Sequence, residues 1–175
     1  MNRQQADSKM KFLWSDAKAF LFYSGAKTLS VVFVTPNGAE PIPLMPVLED
    51  IDRRVSQGEI SGKCGEDDKM AMAIRETARK HHAFGVLLFR VDEISPKDAA
   101  ASNPRRSSPE REGVLRMFFE FKLDTGDKYC GWHRVSFKPK EPPPDDNERG
   151  LVVFGEESST EGPSSDPLLA DLLES

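Results

Sequence analysis

VLRMFFEFKLDTGDKYCGWHRVSF, residues 114–137, is the stretch that decides the fold. Two apolar-rich runs, Val114–Leu123 and Lys128–Phe137, flank Asp124-Thr125-Gly126-Asp127, whose Asp and Gly supply turn chemistry. Along the first run Met117, Phe119, Phe121 and Leu123 alternate onto one face. Phe118 faces the other way with Glu120 and Lys122. A period of two means strands, and a four-residue turn between them means an antiparallel hairpin.

Upstream, Phe84–Ile94 holds Val86, Leu87, Leu88, Phe89 and Val91 and reads as a strand. Residues 95–113, rich in Pro, Ser, Ala and Arg, are too long for an ordinary connection and read as a mobile loop. Thr28–Thr35 (TLSVVFVT) has no polar face, so it is a strand buried on both sides. Pro36-Asn37-Gly38 turns the chain, and Ala39–Leu44 returns as a short strand that Pro41 and Pro43 confine to an edge.

The remaining segments have helical period. Residues 8–24 place Met10, Leu13, Trp14, Ala17, Phe20 and Leu21 on one side, with Asp7 or Ser8 as cap and Gly25 as stop; a strand is the alternative. Pro46 opens a second helix that ends at Gly58. Glu66, Asp67 and Asp68 open a third, which closes on Arg79, Lys80, His81 and His82, as the helix dipole prefers. The order α-β-β-α-α-β-β-β, without strict alternation, predicts an α+β domain with a mainly antiparallel sheet and helices packed on it. It is compatible with small regulatory folds of the roadblock or profilin-like kind, a likeness of element order that implies no function.

Charge divides the chain near residue 140. Residues 1–140 carry 23 Lys and Arg against 19 Asp and Glu, while residues 141–175 carry Arg149 against ten acidic residues. The expectation is therefore a globular domain over 8–138, with 95–113 mobile, and a disordered acidic Pro/Ser-rich tail over 139–175 holding short apolar segments. On this reading, deleting residues 141–175 leaves the melting temperature nearly unchanged. The tail segments Leu151-Val152-Val153-Phe154 and Leu168, Leu169, Leu172 and Leu173 are the candidate partner-binding residues. The first resembles a strand-adding peptide and the second an amphipathic docking peptide. A last strand and a short helix folded onto the chain's own body are the alternatives.

No motif points to a reaction. Cys130 and His133 stand in C-x-x-H spacing, but on a strand they face opposite ways, and His81-His82 diverge by about 100° on a helix. Cys130 or Cys64 with a histidine lacks the context of a catalytic thiol, and Asp92, Glu93 and Glu120 are ordinary strand-end acids. No glycine pattern cradles phosphate. Arg105-Arg106-Ser107-Ser108-Pro109 has the form of a phosphorylation site. The reading assigns no catalytic residue, cofactor or metal.

Two cysteines, Cys64 and Cys130, make no disulfide framework, so a reducing compartment is the default and one bridge between them the alternative, and a first apolar stretch broken by Lys11, Asp16 and Lys18 is no signal-peptide core. Apolar runs such as Val86–Phe89 are too short to span a membrane. The expected location is the cytoplasm, or cytoplasm and nucleus in a eukaryote. The expected function is that of a non-enzymatic regulator or adaptor working through protein contacts of its body and acidic tail. The alternative is a single-strand nucleic-acid binder with an autoinhibitory tail, for which Arg116, Lys122, Lys128, Tyr129, Trp132 and Arg134 supply the mixture of base and aromatic. An unidentified enzyme is the third class.

Overall fold

Gly113–Lys122 and Lys128–Pro139 pair antiparallel, with Phe118 opposite Trp132 and Lys122 opposite Lys128. The computed structural model describes residues 1–24, 30–60, 64–93, 112–140, 150–163 and 172–173. Within them the chain runs α1 (Arg3–Ser24), β1 (Ser30–Thr35), β2 (Gly38–Pro41), α2 (Met45–Ser56), α3 (Glu66–Lys80), β3 (Gly85–Glu93), β4 (Gly113–Lys122), β5 (Lys128–Pro139) and β6 (Val152–Glu161). The strands form one six-stranded sheet in the order β2-β1-β3-β4-β5-β6, every neighbour antiparallel. The α+β class and the antiparallel sheet are as the sequence implies. The loop expected over 95–113, Arg105–Pro109 within it, and the stop at Gly25 fall almost wholly outside the described residues.

The two faces of the sheet have different owners. On one face Val34, Leu87, Phe89, Leu115, Met117, Phe119, Phe121, Tyr129, Val135 and Phe137 pack against Ala6, Met10, Trp14 and Leu21 of α1. On the other, Val31, Phe33, Val86 and Leu88 pack against Ile74 and Ala78 of α3 and the distant pair Leu172 and Leu173. Strand β1 serves both faces, with Phe33 at 0% exposure on one and Val34 at 1% on the other.

Residues 8–24 are helix, and the helix starts earlier than the sequence implies. Asn2 Oδ1 accepts from the Gln5 amide (2.9 Å) while Gln5 Oε1 accepts from the Asn2 amide (3.0 Å), a reciprocal capping box. Asp7, expected as the cap, instead takes Lys11 (2.7 Å) and the Tyr129 hydroxyl (3.3 Å).

Two parts of the expected tail are folded. Residues 152–161 form the sixth strand, paired to β5 from Pro139↔Val152 to Gly131↔Glu161. Their acidity misleads because α1 runs alongside: Arg3 pairs with Glu161, and Lys18 Nζ lies 2.8 Å from Glu157. A register shift between Val135 and Phe137 puts one extra residue in β6. It turns Val152 and Phe154 toward the same core that Glu157 faces further along. Leu151 donates its amide to the Phe22 carbonyl (2.7 Å), and the Phe154 ring stacks on Phe22. At Gly150 (φ 99°) the Phe22 ring occupies the space a β-carbon would need.

Removing everything after Lys140 therefore takes away a strand, the burial of Val152 and the acceptor for the Trp14 indole. The expected loss is about 3–5 kcal/mol, with amide protection falling along β5. An unchanged urea midpoint would show that β6 is dispensable.

Candidate functional site

Cross-strand register sorts the residues of interest into rows. Facing away from α1, Arg90, Arg116 and Arg134 stand directly opposite one another on β3, β4 and β5. The next row is Leu88, Phe118, Trp132 and Thr160; the next is Val86, Glu120 and Cys130; the last is Lys122 and Lys128. All three arginines are exposed, and Phe118 and Trp132 are half-buried. Like charges directly opposite on a sheet repel. Here one carboxylate serves two of them: Asp92 lies 2.7 Å from Arg90 Nε and 3.3 Å from Arg116 Nε. Arg134 Nε donates to the Ser158 hydroxyl (3.1 Å). Along β3, β4 and β5 this outer face carries Arg90, Arg116, Lys122, Lys128, Arg134 and Lys138 against Asp92 and Glu120. Among the described residues no helix packs on its β4–β5 part.

Five of the six residues proposed for nucleic acid, Arg116, Lys122, Lys128, Trp132 and Arg134, thus share the outer face. Tyr129 does not. It lies beneath α1 at 4% exposure, and burial, with Asp7 and Glu161 close by, pushes its hydroxyl up to about 12. Arg90 joins the set through its register with Arg116; the sequence shows its parity along β3 but not which strand lies beside it.

Glu120 is the second residue the sequence undervalues. It is 4% exposed, near the end of β4, between the row of Leu88, Phe118 and Trp132 and the pair Lys122–Lys128. Its two oxygens accept the backbone amides of Leu173 (2.9 Å) and Leu172 (3.2 Å), and Lys128 Nζ lies 3.8 Å away. Leu172 and Leu173 are 2% and 9% exposed. These two leucines are therefore docked on the chain's own body, while Leu168 and Leu169 lie outside the described residues. Of the other tail candidates, Leu151 is half-buried, Val152 is buried, Phe154 is half-buried against Phe22, and Val153 stays 56% exposed.

A polar cluster joins α1 to the inner face. The Trp14 indole donates to Glu157 Oε1 (2.5 Å), Lys18 donates to Glu157 Oε2, and the His133 ring lies between those of Trp14 (5.6 Å) and Phe119 (6.1 Å). Burial raises the Glu157 carboxyl, but the hydrogen bonds from Lys18 and Trp14 outweigh it and hold the pKa below the ordinary value. Burial lowers His133, and the nearby Glu157 opposes that only in part. The cluster fastens the helix.

Cys130 and His133 face opposite sides of β5, as their spacing requires, and the exposed His81 and His82 form the end of α3, where His82 takes the left-handed conformation (φ 52°). Among the described residues no three His, Cys, Asp or Glu side chains converge as a metal's ligands would, and no helix is long and apolar enough to cross a membrane. No family model, characterised protein or solved structure matches the chain.

His133 makes stability depend on pH. Its folded pKa lies below its unfolded value, so the unfolded chain binds the extra proton, and stability is complete above that value and falls as the pH drops through it. Glu157, also depressed, adds a loss at lower pH. Urea midpoints should decline between roughly pH 7 and 5, and His133→Gln should flatten that decline. Parallel profiles for the two proteins would remove His133 as its source.

Proposed function

We propose that the protein is a non-enzymatic binding protein whose working surface is the outer face of β3, β4 and β5, and that its ligand is single-stranded nucleic acid. The observation that carries this is the row Arg90–Arg116–Arg134 beside Phe118 and Trp132. Three guanidinium groups across three strands span about 10 Å, with the half-buried Trp132 ring in the adjoining row. Guanidinium groups take phosphates bidentately, and an aromatic side chain on a sheet stacks a base without needing to know which base it is. A row of like charges costs stability, which a polyanion would relieve. The face has the chemistry for binding.

The second reading is an adaptor that works through protein contacts. The seating of Leu172 and Leu173 on a buried carboxylate favours it, because that is a built recognition geometry on the chain's own surface.

Fluorescence anisotropy with a labelled oligothymidine separates the residues. Arg116→Ala and Arg134→Ala should each weaken binding and reduce the slope of log K against log salt by about 0.7. Trp132→Ala should cost about 1–3 kcal/mol at every salt concentration. Tyr129→Phe, buried under α1, should change nothing. No binding at low salt, or binding indifferent to salt, would sink the nucleic-acid reading.

A further inference from the structure

The outer face holds one residue that neither the arginine row nor the core explains. A permanent cover over Val86, Leu88 and Phe118 is made most simply by apolar contact, and an apolar residue at position 120 would serve it. The chain has Glu120 there instead, and burying a carboxylate costs free energy unless charge or hydrogen bonds compensate. Both of its oxygens are taken by two consecutive backbone amides, those of Leu172 and Leu173, whose side chains are buried beside it.

We infer that Glu120 and the apolar residues around it form a recognition site for a Leu-Leu turn. The chain's own C-terminal segment closes it in cis, and a partner presenting the same chemistry fills it in trans. This rests on the adaptor reading and is independent of nucleic-acid binding. The carboxylate supplies the specificity. An apolar segment whose amides are already bonded within a helix or sheet leaves Glu120 buried with only Lys128 nearby and is disfavoured, while a turn offering two free N–H groups is accepted.

Three further observations favour exchange over a fixed core. The segment DPLLADLLES carries the pair twice, at Leu168-Leu169 and Leu172-Leu173, so the chain holds two candidates for one site. Among the described residues, the two hydrogen bonds holding the turn end on one side chain, where a strand would spread them along its length. Eight residues of sequence separate the turn from Pro163, so the segment competes for the site as part of the same chain. A ligand on the same chain dominates by effective concentration, so a partner enters when it outcompetes that segment or when the segment is withdrawn. The sequence suggests a docking peptide looking for a groove elsewhere; the groove is on the same chain.

The test uses the full chain carrying Leu172→Asp and Leu173→Asp, which empties the site, and a labelled synthetic peptide of residues 166–175. The double variant should bind the peptide at least tenfold more tightly than the wild type, whose own segment competes. Adding Glu120→Ala should abolish binding, and a peptide with all four leucines changed to aspartate should not bind. Arg116→Ala should leave peptide binding intact, so a failure here is distinct from a failure of the nucleic-acid reading. A folded double variant that ignores the peptide overturns the inference. If the double variant unfolds, amide exchange in the wild type decides. Exchange at 172 and 173 through local opening, faster than at 117–121, supports it; exchange only on global unfolding makes the leucines permanent core and overturns it.

Discussion

A strand alternates its side chains, and that constraint runs through the whole molecule. Once Met117, Phe119 and Phe121 are given to α1, Arg116, Phe118 and Glu120 must face the other way. Antiparallel register then extends the division to the neighbours, so Arg90 and Arg134 come to stand on either side of Arg116, and Trp132 beside Phe118. The chemistry of the outer face is the complement of the packing of the inner one. A shift of one residue in β4 would bury Arg116 and expose Phe119 and Phe121, so the core and the candidate surface hold each other in place.

The inner face is built as a clamp. Helix α1 lies over β3–β6 and is held along its length, by Asp7 to the Tyr129 hydroxyl, by Trp14 and Lys18 to Glu157, and by the Phe22 carbonyl to the Leu151 amide. The exposed ion pairs at its margin add little, as such pairs do. The Trp14 indole differs, because it is buried and its donor would be left without an acceptor if Glu157 were lost. Strand β6 can be acidic and still belong to the fold because Glu157 faces Lys18 and the Trp14 indole and Glu161 faces Arg3. Its bulge turns Val152 and Phe154 inward beyond them.

The outer face is built on another principle. Helix α3 covers only the β1–β3 part, with Ile74 and Ala78 over Val31, Phe33, Val86 and Leu88. Beyond that edge lie in turn a buried acid holding two amides, an aromatic pair and a row of arginines. Each is costly by the rules that govern sheets: the acid because it is buried, the aromatics because they are partly wet, the arginines because they repel. Departures from local consistency concentrated on one face are where function is expected to reside.

Local chemistry by itself determined much of this protein. The hairpin, the two-sided burial of Ser30–Thr35, the edge position of the proline-bearing β2 and the three helices all follow from period, turn residues and charge placement. So does the separation of Cys130 from His133 across β5. What only the tertiary structure decided are the facts that depend on neighbours distant in sequence. The composition of residues 152–161 is that of a solvated arm, and it becomes a strand because Arg3, Trp14 and Lys18 lie beside it, more than 130 positions away. Glu120 looks like an ordinary solvent-facing acid until the amides of Leu172 and Leu173 arrive. Tyr129 and Trp132 look alike as aromatics among basic residues, and Arg90 belongs to neither; register puts the tyrosine under a helix and brings Arg90 into line with Arg116. Period and propensity act over a few residues and are written in them, whereas register, burial and the partner of a charge are properties of the assembled sheet.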